Sequence, residues 1–296
     1  MLKYRGLEDD HVESQELHLA VSMDNPQLLS ELLSRVRYKN YIDSRSGWGV
    51  PMTPLRLAAS NGSLECLNIL LANGSEVDIL DVKAQTPLFA AVSAGHLECV
   101  RALLKVGANP CGSVHNNCTP VLTAAREGNA KILKELLDYG ADANVRAKVA
   151  NRFTPNPNCT GPLYLAAVYG HLDCFRFLLF YGADPNYNCT DRQLLTNMKS
   201  RQSVLEICLK HRCDPEFVQL LIEFGADLYL PNIQALSLVD TPSLKLIERE
   251  KGHPRPLMSQ CRLVIRRLLQ QIGKLHLIDQ LQIPDRIVRY LQHQNS

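Results

Sequence analysis

The sequence predicts an all-α solenoid of about six stacked helix pairs plus a terminal half-repeat, followed by a small three-helix segment. Three observations lead there. The run from Thr86 to Gly107 returns in register: Thr53-Pro54-Leu55 lies 33 residues before Thr86-Pro87-Leu88, Thr119-Pro120-Val121 lies 33 after, and Gly161-Pro162-Leu163 is a fourth copy displaced by 42. A glycine follows 21 residues after the first position of each copy, at Gly74, Gly107, Gly140 and Gly182. After Pro256 the repeat stops and a different apolar pattern begins. A fixed period of this length marks units too short to bury both faces alone, which must stack on copies of themselves.

Each unit can be justified residue by residue. Thr86 suits a helix N-cap, because its hydroxyl accepts from a free backbone N–H one turn in. Pro87 suits the first helical position, where a missing N–H costs nothing. Leu88, Ala91 and Val92 form a narrow apolar face at helical spacing. Small residues at Ala58 and Ala59, Ala124 and Ala125, and Ala166 and Ala167 let neighbouring helices approach closely. Gly95 reaches the left-handed conformation that ends the first helix. Leu97, Val100, Leu103 and Leu104 make the buried stripe of the second, and Gly107 stops it. The Thr-Pro-Leu opening at a period of 33 resembles the ankyrin repeat.

In chain order, residues 1–13 are polar and predicted to be a loose N-terminus, and residues 14–250 form the repeat array. A degenerate first repeat carries Leu17-His18-Leu19-Ala20 and a second-helix stripe of Leu28, Leu29, Leu32 and Leu33. It lacks the Thr-Pro opening, as a capping repeat does. The connector 44–52 holds the single tryptophan, Trp48, which either anchors a partner or folds back on the array. Repeats two to four run to about Arg146. The stretch 146–160, rich in Asn and Pro and carrying Phe153, is a loop. Repeat five follows with Leu163, Leu172, Phe175, Phe177, Leu178 and Leu179, and a second insertion spans 187–202. Both insertions, with Trp48, Phe153, Tyr169 and Tyr187, are candidate substrate-recognition surface; the competing reading is tolerated loop growth. The sixth repeat opens at Ser203, with one residue added near Cys213-Asp214-Pro215, and Thr241-Pro242 starts a half-repeat. Residues 251–256, a Gly and two Pro in six, form a linker.

Composition excludes several functions. Net charge is +2 and hydrophobic content 46%, which gives no field directed at nucleic acid or membrane. The first sixteen residues contain no apolar core of a secretory signal, and no run reaches about 18 apolar residues. Five N-x-S/T sequons, at Asn61, Asn73, Asn117, Asn158 and Asn188, then read as loop chemistry in a reducing compartment, inside the cell and in the cytoplasm, with the nucleus also open. Cys66, Cys99 and Cys174 share one repeat position with Ile132, a buried apolar slot. No CxxC pair occurs, so no zinc site is expected, and no cofactor. With no phosphate loop, HExxH or GxSxG, no enzyme is expected either. His96 and His171 are repeat residues rather than catalytic ones.

The last stretch, 257–296, is the discriminating one. Leu257, Cys261 and Ile265 recur every four residues on one helical stripe. Val264, Leu268, Leu269 and Ile272 broaden it. Arg262, Arg266 and Arg267 are expected at a solvated edge. Ile283-Pro284-Asp285 opens a final helix whose apolar side is Ile287, Val288, Tyr290 and Leu291. About forty residues are short for an independent core, so the segment must lean on the array or on a partner. Pro256-Leu257, Cys261 and Ile265 resemble an elongin C-binding box. Leu281-Gln282-Ile283-Pro284, Ile287, Tyr290 and Leu291 resemble a cullin-5 box, except that Gln282 stands where that box usually has Pro. Together with the repeats, the chain resembles the ankyrin repeat and SOCS box family. That resemblance implies a non-catalytic substrate receptor of a cullin-RING ubiquitin ligase, a SOCS box at 257–296, and as partners elongin C with elongin B, cullin-5 with its RING subunit, and an unidentified protein substrate. It implies elongin contacts at Leu257, Cys261 and Ile265, and cullin contacts at Leu281, Ile283, Pro284, Ile287, Tyr290 and Leu291. The alternative is an ankyrin adaptor that holds a partner without ubiquitin transfer.

Overall fold

The computed structural model describes residues 12–46, 51–116, 118–145, 161–186, 203–231, 241–271 and 275–293. Trp48, Phe153, Tyr187 and the two insertions lie outside the described residues. Among the described residues every regular element is helical; one antiparallel bridge pairs Ser46 with Met52 at the base of the first connector. The chain divides into two compact units: Met1–Ala124 with Tyr139–Ala141, and Ala125–Asp138 with Asp142–Ser296.

The first unit begins with α1 (Val12–Ser22), α2 (Pro26–Ser34) and the short α3 (Val36–Lys39), then two full pairs, α4 (Pro54–Asn61) with α5 (Leu64–Ala72), and α6 (Pro87–Ala94) with α7 (Leu97–Lys105). Thr53 and Thr86 cap α4 and α6, accepting from Arg56 N at 3.3 Å and Phe89 N at 3.2 Å. Pro54 and Pro87 follow in the first turn. First helices pack on first helices, α1 on α4 and α4 on α6, across the alanines Ala20, Ala58, Ala59 and Ala91, all fully buried. Second helices contribute Cys66, Leu67, Leu70, Cys99, Val100, Leu103 and Leu104 to the core. Leu97 is half-buried; Cys99 takes its expected place in the stripe.

Two hydrogen-bonded devices tie one pair to the next. His96, at the N-cap of α7, lays its ring over Gly62 of the preceding pair and its Nε2 donates to Ser60 O at 3.1 Å. An Asp in each connector accepts the backbone N–H two residues past the next pair's closing glycine: Asp43 from Glu76 N, and Asp78 from Asn109 N, each at 3.1 Å.

The second unit repeats the scheme. After α8 (Pro120–Glu127), which crosses the division, come α9 (Ala130–Asp138), α10 (Pro162–Val168), α11 (Leu172–Phe180), α12 (Val204–Lys210), α13 (Pro215–Glu223) and the half-repeat helix α14 (Pro242–Lys251). His171 lies over Gly128 as His96 lies over Gly62, with Nε2 3.0 Å from Arg126 O. Asn144 and Asn186 accept from Asp184 N at 2.7 Å and Asp227 N at 2.8 Å. The sixth pair keeps the fold with other residues. Ser203 caps α12, Arg212 takes the left-handed corner (φ 52°), and the added residue is Asp214, which caps α13 ahead of Pro215. The chain then runs into α15 (Leu257–Gln271), a 3-10 turn (Leu275–Gln280) and α16 (Asp285–Leu291). Their own core is small: Leu275, Ile278 and Leu291, with Leu269, Leu281, Ile283 and Val288 packed against them.

Candidate protein-binding interface

Helix α15 turns its apolar stripe away from the repeats. Leu257 is 75% exposed, Ile265 39%, and Cys261 is exposed between them. Met258, Val264 and Leu268 are exposed beside them. At about 100° per residue, these six positions fall on one side of the helix. A soluble helix ordinarily hides such a stripe, so a continuous exposed one marks a surface made for another molecule. Met258 was not singled out from the sequence, although its place next to Leu257 on the same stripe was the available sign.

The opposite side corrects an expectation. Arg262 and Arg266 are not a solvated edge; they are 8% and 6% exposed. Arg266 Nη1 donates to Leu291 O at 2.8 Å, and Nη2 donates to Phe180 O at 2.6 Å and to Leu179 O at 3.3 Å. The reason lies in α11. Its last carbonyls have no partner within the helix and carry the negative end of the helix dipole. A planar guanidinium supplies several donors to that cluster at once. The cation also sits 5.1 Å from the Phe224 ring centroid and 5.8 Å from that of Phe180, over electron-rich faces. Burial, and then the neighbouring Arg262, lower the Arg266 pKa to about 10, so it stays charged at neutral pH. Arg262 rests over Tyr290 at 4.7 Å. Gln270 Nε2 donates to Gly182 O at 2.6 Å, and Arg255 Nη2 donates to Ala226 O at 2.8 Å, just past the end of α13. His293 stacks on Phe224 at 3.8 Å; burial, then Arg262 and Arg266, push its pKa down to about 2, so it is held neutral.

The expected cullin contacts divide by exposure. Pro284 and Ile287 are exposed, whereas Leu281, Ile283 and Tyr290 are half-buried. Leu291 is buried with Leu275 and Ile278, and its carbonyl receives Arg266. Gln282 is exposed. Of the candidate substrate residues, only Tyr169 is described; it is exposed at the end of α10, stacked on His171 at 6.3 Å. The cysteine slot is occupied as expected, and burial pushes the Cys66, Cys99 and Cys174 thiols up to about 11. No cluster of three or more metal-ligating side chains occurs among the described residues, and no helix among them is long and apolar enough to cross a membrane.

Helix pairs of this period, ended by a short segment that offers an apolar helix face, define ankyrin repeats joined to a SOCS box. Residues 17–114, 55–147 and 110–189 match ankyrin repeats, and residues 253–292 match the SOCS box. The chain belongs to the ankyrin repeat and SOCS box family. It is 63% identical to human ankyrin repeat and SOCS box protein 12 over 286 residues, which cover 96% of this chain and 93% of that protein. It is 46% identical to mouse ankyrin repeat and SOCS box protein 1, covering 96% of this chain and 90% of that one. The crystal structure of the ankyrin repeat domain of human ASB11 has the same fold, with a TM-score of 0.58 at 24% identity over 81% of this chain and 99% of that one.

Proposed function

We propose that the chain is the substrate-recognition subunit of an elongin B/C–cullin-5 RING ubiquitin ligase. Residues 14–250 serve as the receptor array, 251–256 as the linker and 257–296 as the SOCS box. It makes and breaks no bonds itself. It acts in the cytoplasm by holding a target beside a ubiquitin-charged enzyme, which turns a bimolecular encounter into a nearly intramolecular one. The observation that carries this reading is the exposed row Leu257, Cys261 and Ile265 on a helix whose other side is already occupied. Those three enter elongin C, with Met258, Val264 and Leu268 alongside. Fully burying Leu257 contributes about 1.5–3 kcal/mol. Pro284 and Ile287 meet the cullin directly, while Leu281, Ile283 and Tyr290 contribute at their half-exposed edges. Tyr169, with Trp48, Phe153 and Tyr187, contributes to the target surface.

Leu257→Ala combined with Cys261→Phe is expected to abolish co-purification with elongins B and C. Undiminished recovery of the complex from a folded variant would refute the assignment. The adaptor without ubiquitin transfer draws its support from Gln282, which occupies the position of a proline in the resembled box. Elongin binding without cullin-5 recruitment, restored by Gln282→Pro, would favour it.

A further inference from the structure

One backbone hydrogen bond recurs at the corner between the two helices of a pair. Asn25 N donates to Ala20 O at 2.9 Å, Ser63 N to Ala58 O at 3.0 Å, His96 N to Ala91 O at 3.0 Å, and His171 N to Ala166 O at 2.8 Å. It folds the chain back so that the main chains of two positions five residues apart meet across the turn. In these pairs the first position is alanine. In the sixth pair the same bond joins Cys213 N to Cys208 O at 2.9 Å, and both positions are cysteine. The backbone bond brings the two thiols near enough that each shifts the other's ionisation. Cys208 is buried, whereas Cys213 is half-buried. Cys213 Sγ also donates to Ala167 O at 3.3 Å, taking the part that the His171 ring plays one pair earlier.

We propose that Cys208 and Cys213 are a peroxide-responsive dithiol that closes to a disulfide within the α12–α13 corner. The Cys213 thiolate attacks hydrogen peroxide, breaks the O–O bond and becomes a sulfenic acid, and the released hydroxide takes a proton to leave as water. The Cys208 sulfur then attacks the Cys213 sulfur; the S–O bond breaks, a second water leaves, and the S–S bond forms. Two thiols and one peroxide give one disulfide and two waters, the sulfurs supplying both electrons. The environments suit these roles. The neighbouring Cys208 thiol lowers the Cys213 pKa, which favours the nucleophilic thiolate at the more accessible sulfur. The same contact, together with burial, raises the Cys208 pKa and keeps it the protonated resolving partner. Disulfides in reducing compartments are mostly transient and redox-sensing. Closure removes the S–H that Cys213 gives to Ala167 O, so oxidation detaches the sixth pair from the fifth at that point.

The test uses the full-length chain treated with hydrogen peroxide, alkylated and digested with trypsin. Lys210 and Arg212 lie between the two cysteines, so a Cys208–Cys213 disulfide joins two separate peptides. Those linked peptides are expected in the native sequence, with alkylation of both thiols lost together and regained on reduction. They should be absent from Cys213→Ser and from Cys208→Ala, which installs the residue carried by the other pairs. In Cys208→Ala, a dione probe should capture Cys213 as the sulfenic acid. Persistent alkylation of both thiols in the native chain under peroxide would overturn the proposal, as would a Cys213 linkage to any other sulfur.

Discussion

His96 and Gly62 show how a single contact joins two repeats. A Cβ built on Gly62 would stand 2.6 Å from His96 Nδ1, and the backbone there is left-handed at φ 78°. Gly74 is also left-handed, at φ 92°, but has nothing within 4 Å of its Cβ direction. Gly74→Ala should therefore cost only the left-handed penalty, about 1–2 kcal/mol. Gly62→Ala should cost more, by about 1–3 kcal/mol, because the ring must also be displaced. Adding His96→Ala should return most of that excess, and urea unfolding of the three variants would measure it. An equal loss at both glycines would show that the ring contact contributes nothing. The Gly-His pairing was legible as a structural repeat feature, but its partner one repeat back was not. The glycine that a histidine covers is defined by stacking, and no local pattern encodes it. The same holds for Asp78 and Asn186, whose acceptor role depends on a backbone N–H that the next connector brings alongside.

Helix α15 was half readable as an element. Counting apolar residues at intervals of three and four found its stripe, and the outward placement of Leu257, Cys261 and Ile265 follows the same count. The buried arginines were not readable that way, since a charged residue is assigned to water unless a partner is known. For Arg266 the partners are main-chain carbonyls at the ends of α11 and α16, and for Arg262 the partner is the Tyr290 ring, none of which carries a signature in the local sequence. Arg266→Met keeps much of the side-chain volume and removes the donors to Leu179, Phe180 and Leu291. Hydrogen bonds to a charged donor contribute about 1.5–3 kcal/mol, so a loss of about 2–4 kcal/mol in local stability is expected. Hydrogen exchange should show it as faster exchange of α15 and α16 amides, with α4 to α7 unchanged. Unaltered protection of α15 would mean that the arginine does not hold the helix.

At the scale of the molecule, the repeat plan was legible because a period of 33 states it over and over, while the arginine and glutamine contacts that dock the C-terminal segment appear once each. The C-terminal segment illustrates the difference. Its own core amounts to Leu275, Ile278 and Leu291 with a few half-buried neighbours, too little to hold about forty residues folded. Residues 253–296 made alone should show little helical circular dichroism, and the same segment in the full chain should be helical and protected. A cooperative thermal transition in the isolated segment would contradict this.

The acceptors that Arg255, Arg266 and Gln270 grasp are all main-chain oxygens. An oxygen of that kind is the same whatever residue supplies it. Apart from Phe180 and Phe224, whose rings Arg266 and His293 rest on, the side chains of the fifth and sixth helix pairs are thereby free to drift, or to be redesigned, without loosening the handle attached to them. A fold fastened in this manner can exchange what it recognises while leaving its attachment untouched, and the same handle should graft onto any helix pair that ends with its carbonyls bare.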